Sequence, residues 1–280
     1  MWNWRQAPSS CRYSQIPCCL RSYDPGALRR RRESKPTTRE EKIMNETRKV
    51  LHGHRTIDLP IEAAPPAQIL QALGAAAAPE TVKRSTTEVI DAANAAITTG
   101  LVQPRLIAAE LGIDSLAPDG ITVRGNTPIP CDGSVFKGAD RVIVAIVTLG
   151  PRLEEKVRAA FAANEPLSAV IMDAAGTIII RNASTRFQEE CAARAHAIGL
   201  ETGPRISPGC HVIPLEAQRA LFSLLDAGSI GVTLTDSMLM TPVKSVSILF
   251  PLGPSLAHRL RTFSMCSICS HSEKCMRIIL

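Results

Sequence analysis

The sequence predicts an α+β fold, and three observations predict it. Arg141-Val-Ile-Val-Ala-Ile-Val-Thr-Leu149 is a continuous β-branched run, ended by Gly150-Pro151, and reads as a buried strand. Residues 166–198 carry Ile171, Ala175, Ile178, Ile179, Ala183, Phe187, Cys191 and Ala195 on one drifting helical face, long enough to act as the spine of a domain. Lys244-Ser-Val-Ser-Ile-Leu-Phe250 alternates at its start and reads as a further strand.

The remaining elements follow in chain order. Residues 1–43 show almost no periodicity and include Arg29-Arg-Arg-Arg32, a composition unable to bury a core. Three readings stand for them: a translated upstream region with the true start at Met44, an Arg-rich targeting peptide, or a basic arm. Residues 44–84 form an N-terminal extension in which Ile69, Leu70 and Leu73 share one face of a short helix before Gly74. Ser85 is placed as a helix cap with Glu88 three residues on, and Val89, Ala92, Ala93, Ala96 and Ile97 continue an apolar face to Gly100. Residues 101–113 fit helix and strand equally. Ile121–Asn126 reads as one arm of a hairpin between Asp119-Gly120 and Gly125-Asn126.

After the long strand, Pro151 suits a first helical turn, Glu154 and Glu155 suit its positive end, and Leu153, Val157, Ala160 and Phe161 recur at helical spacing. Residues 166–198 are one long helix or two abutting ones, since Ile178-Ile-Ile180 has strand propensity. Pro214–Leu225 is a helix with Ala217, Ala220, Leu221, Leu224 and Leu225 turned inward, and Gly231–Met240 is a strand or two. The ordered domain therefore spans 85–255, followed by a cysteine-containing tail, 256–280.

Bulk composition narrows the function classes. The chain has 280 residues with 45% hydrophobic content, enough for a sizeable core. Aromatics make up 4%, too few for base-stacking platforms, which argues against a single-strand nucleic-acid binder. The net charge of +6 is matched by residues 1–43 alone, so the basicity belongs to that tail. There is no apolar run of membrane-spanning length. The nine cysteines lack the spacing of a secreted disulfide framework, and a reducing cytoplasm is the expected location.

Two stretches break the core pattern with small, turn-forming and hydroxyl residues: Arg205-Ile-Ser-Pro-Gly-Cys-His-Val-Ile-Pro214 and Ile230-Gly-Val-Thr-Leu-Thr-Asp-Ser-Met-Leu-Met-Thr-Pro242. A Pro-Gly turn lets main-chain groups approach a ligand closely, and Arg205 brings a guanidinium suited to a carboxylate or phosphate.

Several separated blocks, in order, resemble the activation (reactivation) domain of cobalamin-dependent methionine synthase in its stand-alone form. They are Val147-Thr-Leu-Gly-Pro151, Met172-Asp-Ala-Ala-Gly176, Arg205-Ile-Ser-Pro-Gly209, Pro214–Phe222, Ile230–Ser237, Thr241-Pro242 and Lys244–Ser247, and the resemblance runs from about Thr86 to Gly253. It implies a twisted antiparallel sheet with long helices. It implies binding of S-adenosylmethionine and docking on a cobalamin domain, either of methionine synthase or of another corrinoid protein, with an electron donor such as a flavodoxin-like protein. Arg205 would hold the ligand carboxylate, the backbone at Ser207 and Gly209 would read adenine and ribose, Cys210 would stand beside them, and Thr235, Asp236 and Ser237 would face the corrin. The chain departs from the family at two places: Cys210 stands where the turn usually carries Tyr, and Arg181 stands in a stretch that tends to hold an acid.

The C-terminal Cys266, Cys269 and Cys275 space three thiols as C-x2-C-x5-C, with His271 between them. Zinc, an iron-sulfur cluster and free thiols are all compatible with that pattern. Two rival functions stay open: a non-catalytic corrinoid-protein partner or metal-bearing electron-transfer adaptor, and a basic-tailed nucleic-acid binder.

Overall fold

The computed structural model describes residues 50–51, 55–60 and 62–256, all within one unit. The expectations for residues 1–43 and for Cys266, Cys269, His271 and Cys275 lie outside the described residues.

In chain order the elements are β1 (Arg55–Asp58), α1 (Pro66–Ala72), α2 (Glu80–Ala96), β2 (Arg105–Ala117), β3 (Gly120–Val123), β4 (Thr127–Pro130), β5 (Arg141–Thr148), α3 (Arg152–Ala162), α4 (Pro166–Ala197), β6 (Glu201–Thr202), α5 (Gln218–Leu224), β7 (Thr233–Leu234), β8 (Met240–Thr241) and β9 (Ser245–Gly253). Seven strands make one antiparallel sheet in the order β4-β3-β2-β5-β9-β6, with β1 on the outer edge of β2 beside β3. The 13-residue β2 serves both neighbours: Arg105–Ala108 pair with β1, and Ile113–Ala117 pair with β3 across a bulge.

The sheet is buried on both faces. Ile143, Ala145 and Val147 of β5 point to a cluster under α1 to α4, while Val142, Val144 and Ile146 point to a second cluster under α5 and the loops around it. This is why β5 lacks the polar alternation of a half-exposed strand. Residues 101–113, ambiguous in sequence, enter β2 because Leu106 and Ala108 pack on the helical side and Ile107 and Ala109 on the other.

α4 is a single helix of 32 residues, about 48 Å long. Its drifting apolar face reflects a buried position: it packs against α1, α2 and α3 as well as β5, β6 and β9. Phe187 meets Phe250 of β9 edge to face, with ring centroids 6.3 Å apart. At Gly176 the helix runs close to α3, where a Cβ would displace the end of the Leu153 side chain.

The cap at Ser85 and the start of the Pro214–Leu225 helix need correction, while the run from Gly231 holds two short strands as expected. The helix assigned to a Ser85 cap begins at Glu80, after Pro79, so a boundary at 84/85 falls inside α2. Proline before the first turn does the work assigned to the serine, and Thr86 and Thr87 bond back to the Val82 and Lys83 carbonyls as interior residues do. Phe161 is 51% exposed, not inward-facing. Pro214–Leu225 starts as a 3-10 turn, Leu215–Ala217, before α5. Ile230 closes another 3-10 turn, and the run after it is a hairpin of two-residue strands.

Candidate functional site

The Arg205 stretch leaves the edge of the sheet and passes beside α4. β6 pairs with the end of β9, and Ile206 and Leu249 exchange both backbone bonds at 2.9 Å, so the chain is fixed up to the turn. Beyond it, Gly209 takes φ +86° and donates its amide to the Ile213 carbonyl (2.9 Å), while the Cys210 amide donates to the Ser207 carbonyl (3.1 Å). The left-handed φ explains the glycine. The turn holds itself together with these two amides.

Arg205 is half-buried and reaches across to α4, where its Nη1 donates to Thr185 Oγ1 (3.0 Å). Gln188, one turn further along, donates Nε2 to the Gly203 carbonyl (3.2 Å). The seam between α4 and residues 203–205 is thus bonded at two points. From the other side Lys244 closes on the same helix, with Nζ 2.9 Å from Asp173 Oδ1 and 2.8 Å from Thr177 Oγ1. Its backbone amide donates to Glu154 Oε1 of α3 (2.8 Å).

Thr235, Asp236 and Ser237 form the exposed tip of the β7–β8 hairpin. Thr235 organises the tip: its hydroxyl accepts from the Leu239 amide and lies 3.0 Å from Ser237 Oγ. Beneath, Gln218 is 4% exposed and ties the hairpin to the sheet, donating Nε2 to the Met238 carbonyl (2.9 Å) and accepting from Ser247 Oγ (3.0 Å). Leu239 and Val243 flank the tip at 61% and 70% exposure.

Cys210 lies elsewhere. It packs against the cluster under α5 and lines a cleft of about 310 Å³ with Asp119, Cys131, Asp132 and His211, so it is not gathered with Arg205 on α4. Among the described residues no group of three or more His, Cys, Asp or Glu side chains could hold a metal ion. Burial pushes the Cys131 thiol up to about 11, opposed by a backbone hydrogen bond at Ile121 and reinforced by Asp132, and pushes Cys191 up to about 12. Both ordinarily titrate near 9.0, so between about pH 9 and 12 the unfolded chain loses these protons first and folding stability falls. The thermal midpoint is expected to drop above pH 9 more steeply in the natural chain than in a Cys131→Ala, Cys191→Ala protein. A thiol reagent at pH 8 should label Cys210 while Cys131 and Cys191 stay protected.

The sequence singles out Arg205 and the hairpin tip as candidates, but not the side chains they bond to. Asp173, Thr177, Arg181 and Thr185 repeat every four residues along the helix, and that polar stripe was the signal available.

No family model matches the chain, and no curated protein is significantly similar to it. Among solved structures, the MetH reactivation domain bound to AdoHcy matches with a TM-score of 0.51 at 14% identity, covering 74% of this chain and 80% of that one. The likeness shows that the two share a fold: helices against a curled antiparallel sheet.

Proposed function

We propose that this protein is an activation subunit for cobalamin-dependent methionine synthase, binding S-adenosylmethionine and docking on a cobalamin domain to support reductive methylation of cob(II)alamin. The observation that carries the reading is the Arg205–Gly209 turn laid against α4 at the sheet edge, in a fold shared with a domain that was solved with AdoHcy. Arg205 is rigidly placed by Thr185 and offers a planar donor fork to the ligand carboxylate. The Ser207 and Gly209 backbone lies next to it for the adenosine end. The exposed hydroxyls of Thr235 and Ser237 and the apolar Leu239 and Val243 supply a mixed surface for the cobalamin domain.

The chemistry needs little from this chain beyond placement. A separate donor such as a flavodoxin-like protein would supply one electron to the partner's cob(II)alamin, and the reduced cobalamin would then take the sulfonium methyl group and leave S-adenosylhomocysteine. Arg205 would hold the donor still, and the hairpin would set its distance from the corrin.

A methionine synthase truncated after its cobalamin domain tests the role. Added in trans with reductant and S-adenosylmethionine, the protein should restore turnover, and a Thr235→Ala, Leu239→Asp variant should restore much less at equal concentration. No restoration at any concentration rejects the role.

A second reading, docking on a corrinoid protein without use of S-adenosylmethionine, draws on the state of α4. Asp173 of α4 is held by Lys244, and Arg181 stands where an ammonium would want a carboxylate. In that reading Cys266, Cys269 and Cys275 would carry zinc or an iron-sulfur cluster for electron transfer. Metal analysis and the visible spectrum of the isolated protein separate it from the first.

A further inference from the structure

One row of residues across the sheet carries donors that lack an acceptor among the described residues. Arg105 of β2 pairs directly with Thr148 of β5, and Thr148 with Ser245 of β9. The three side chains therefore lie side by side on the face of Ile107 and Ile146, the α5 side. Arg105 is half-buried: its Nε is buried with no hydrogen-bond partner, and its Nη2 lies against Gly231, where a Cβ would come within 3.5 Å of it. None of the ion pairs among the described residues involves its guanidinium. Beside it, the Gly150 amide donates to Thr148 Oγ1 (3.1 Å), and Ser245 Oγ bonds the same oxygen (2.9 Å). The two hydroxyls bring two protons and their shared bond uses one, so one O–H is left to donate. Asp58, next in the row on β1, is exposed and forms no ion pair with Arg105.

A guanidinium and a hydroxyl on paired strands, about 5 Å apart, leave room for one negatively charged acceptor to meet both. A half-buried cation without a partner is costly, and an oxyanion removes that cost. We propose that Arg105, Thr148 and Ser245 form an oxyanion site at the end of the sheet, at the base of the β7–β8 hairpin, taking a carboxylate or phosphoryl group. Gly231 leads into that hairpin and Ser245 follows it, so an occupied site ties its two ends together. The site is separate from the seam. Arg205 bonds to α4 on the helical side, and the row lies on the other face of the sheet.

The test is calorimetric titration of the full-length protein, with inorganic phosphate in one arm, acetate in a second and chloride at matched ionic strength as control. Thermal unfolding in the same solutions is the second readout. Phosphate or acetate should bind saturably and raise the unfolding midpoint where chloride does neither. Binding of phosphate alone assigns the site to phosphoryl groups, of acetate alone to carboxylates, and of both to oxyanions in general. Arg105→Met should weaken that binding by at least about tenfold and abolish the rise in midpoint, while Arg105→Lys and Ser245→Ala should each keep part of it. Arg205→Met, which alters the seam, should bind the anions as the natural chain does, so a failure of S-adenosylmethionine binding leaves this site standing. Without added anion, Arg105→Met should unfold no earlier than the natural chain, because it removes an unpaired buried N–H. A midpoint lowered equally by Arg105→Met and by Asp58→Asn would mark these two as a structural ion pair and overturn the site. The site is also overturned if both anions behave as chloride, if Arg105→Met, folded by circular dichroism, binds them unchanged, or if Arg205→Met is the variant that loses them.

Discussion

Glu110→Ala is expected to destabilise the fold by about 3–5 kcal/mol, the range for removing one partner of a buried ion pair. The carboxylate of Glu110 is 3% exposed on β2. One oxygen accepts from Arg141 Nη1 at 2.9 Å, and the other accepts from the backbone amides of Val50 and Leu51 at 2.7 and 2.9 Å. Those two residues belong to the helical-side core, so a single carboxylate joins the N-terminal segment, β2 and β5. Alanine strips the acceptor from two amides and the buried carboxylate from a guanidinium that is itself 15% exposed. Glu110→Gln, which keeps acceptor capacity but not charge, should fall between. Denaturant unfolding reads the effect as a lower midpoint at unchanged slope, and a loss below about 1 kcal/mol for alanine would contradict this account.

Phe250→Ala is the second large effect, about 3–5 kcal/mol from lost burial and the cavity left behind. Phe250 is fully buried at the centre of β9, and its ring meets Phe187 of α4. Phe187 lies two residues from Thr185, the residue that accepts from Arg205, so loosening this contact reaches the seam. The variant should therefore weaken S-adenosylmethionine binding as well as stability, although residue 250 lies outside the seam. Phe250→Leu should recover most of both. Full stability in Phe250→Ala would mean that α4 is positioned by its other contacts.

The sequence made the large elements legible because each had a local cause: β-branched continuity for β5, apolar spacing for α3 and α4, turn residues around β3. What stayed hidden depended on distance. β2 fits no single period because both of its faces are covered, so Leu106-Ile107-Ala108-Ala109 gives no alternation to detect. The start of α2 was misplaced because Ser85 and Glu88 imitate a capping box, whereas Pro79 opens the helix. At the candidate site, Arg205 stands out beside its Pro-Gly turn, but its bond to Thr185 and the Lys244–Asp173 pair join residues 20 and more positions apart. Cys210 reads as a neighbour of Arg205, yet the turn sends it to the other face of the sheet, where Cys131 lies.

The central claim is that the seam between α4 and the Arg205 turn holds S-adenosylmethionine. Calorimetric titration of the full-length protein in a buffer free of phosphate tests it most directly. The account predicts saturable one-to-one binding, weakened at least about tenfold by Arg205→Met in a protein that keeps its circular dichroism spectrum. No binding by the natural chain, or equal affinity in Arg205→Met, would contradict it.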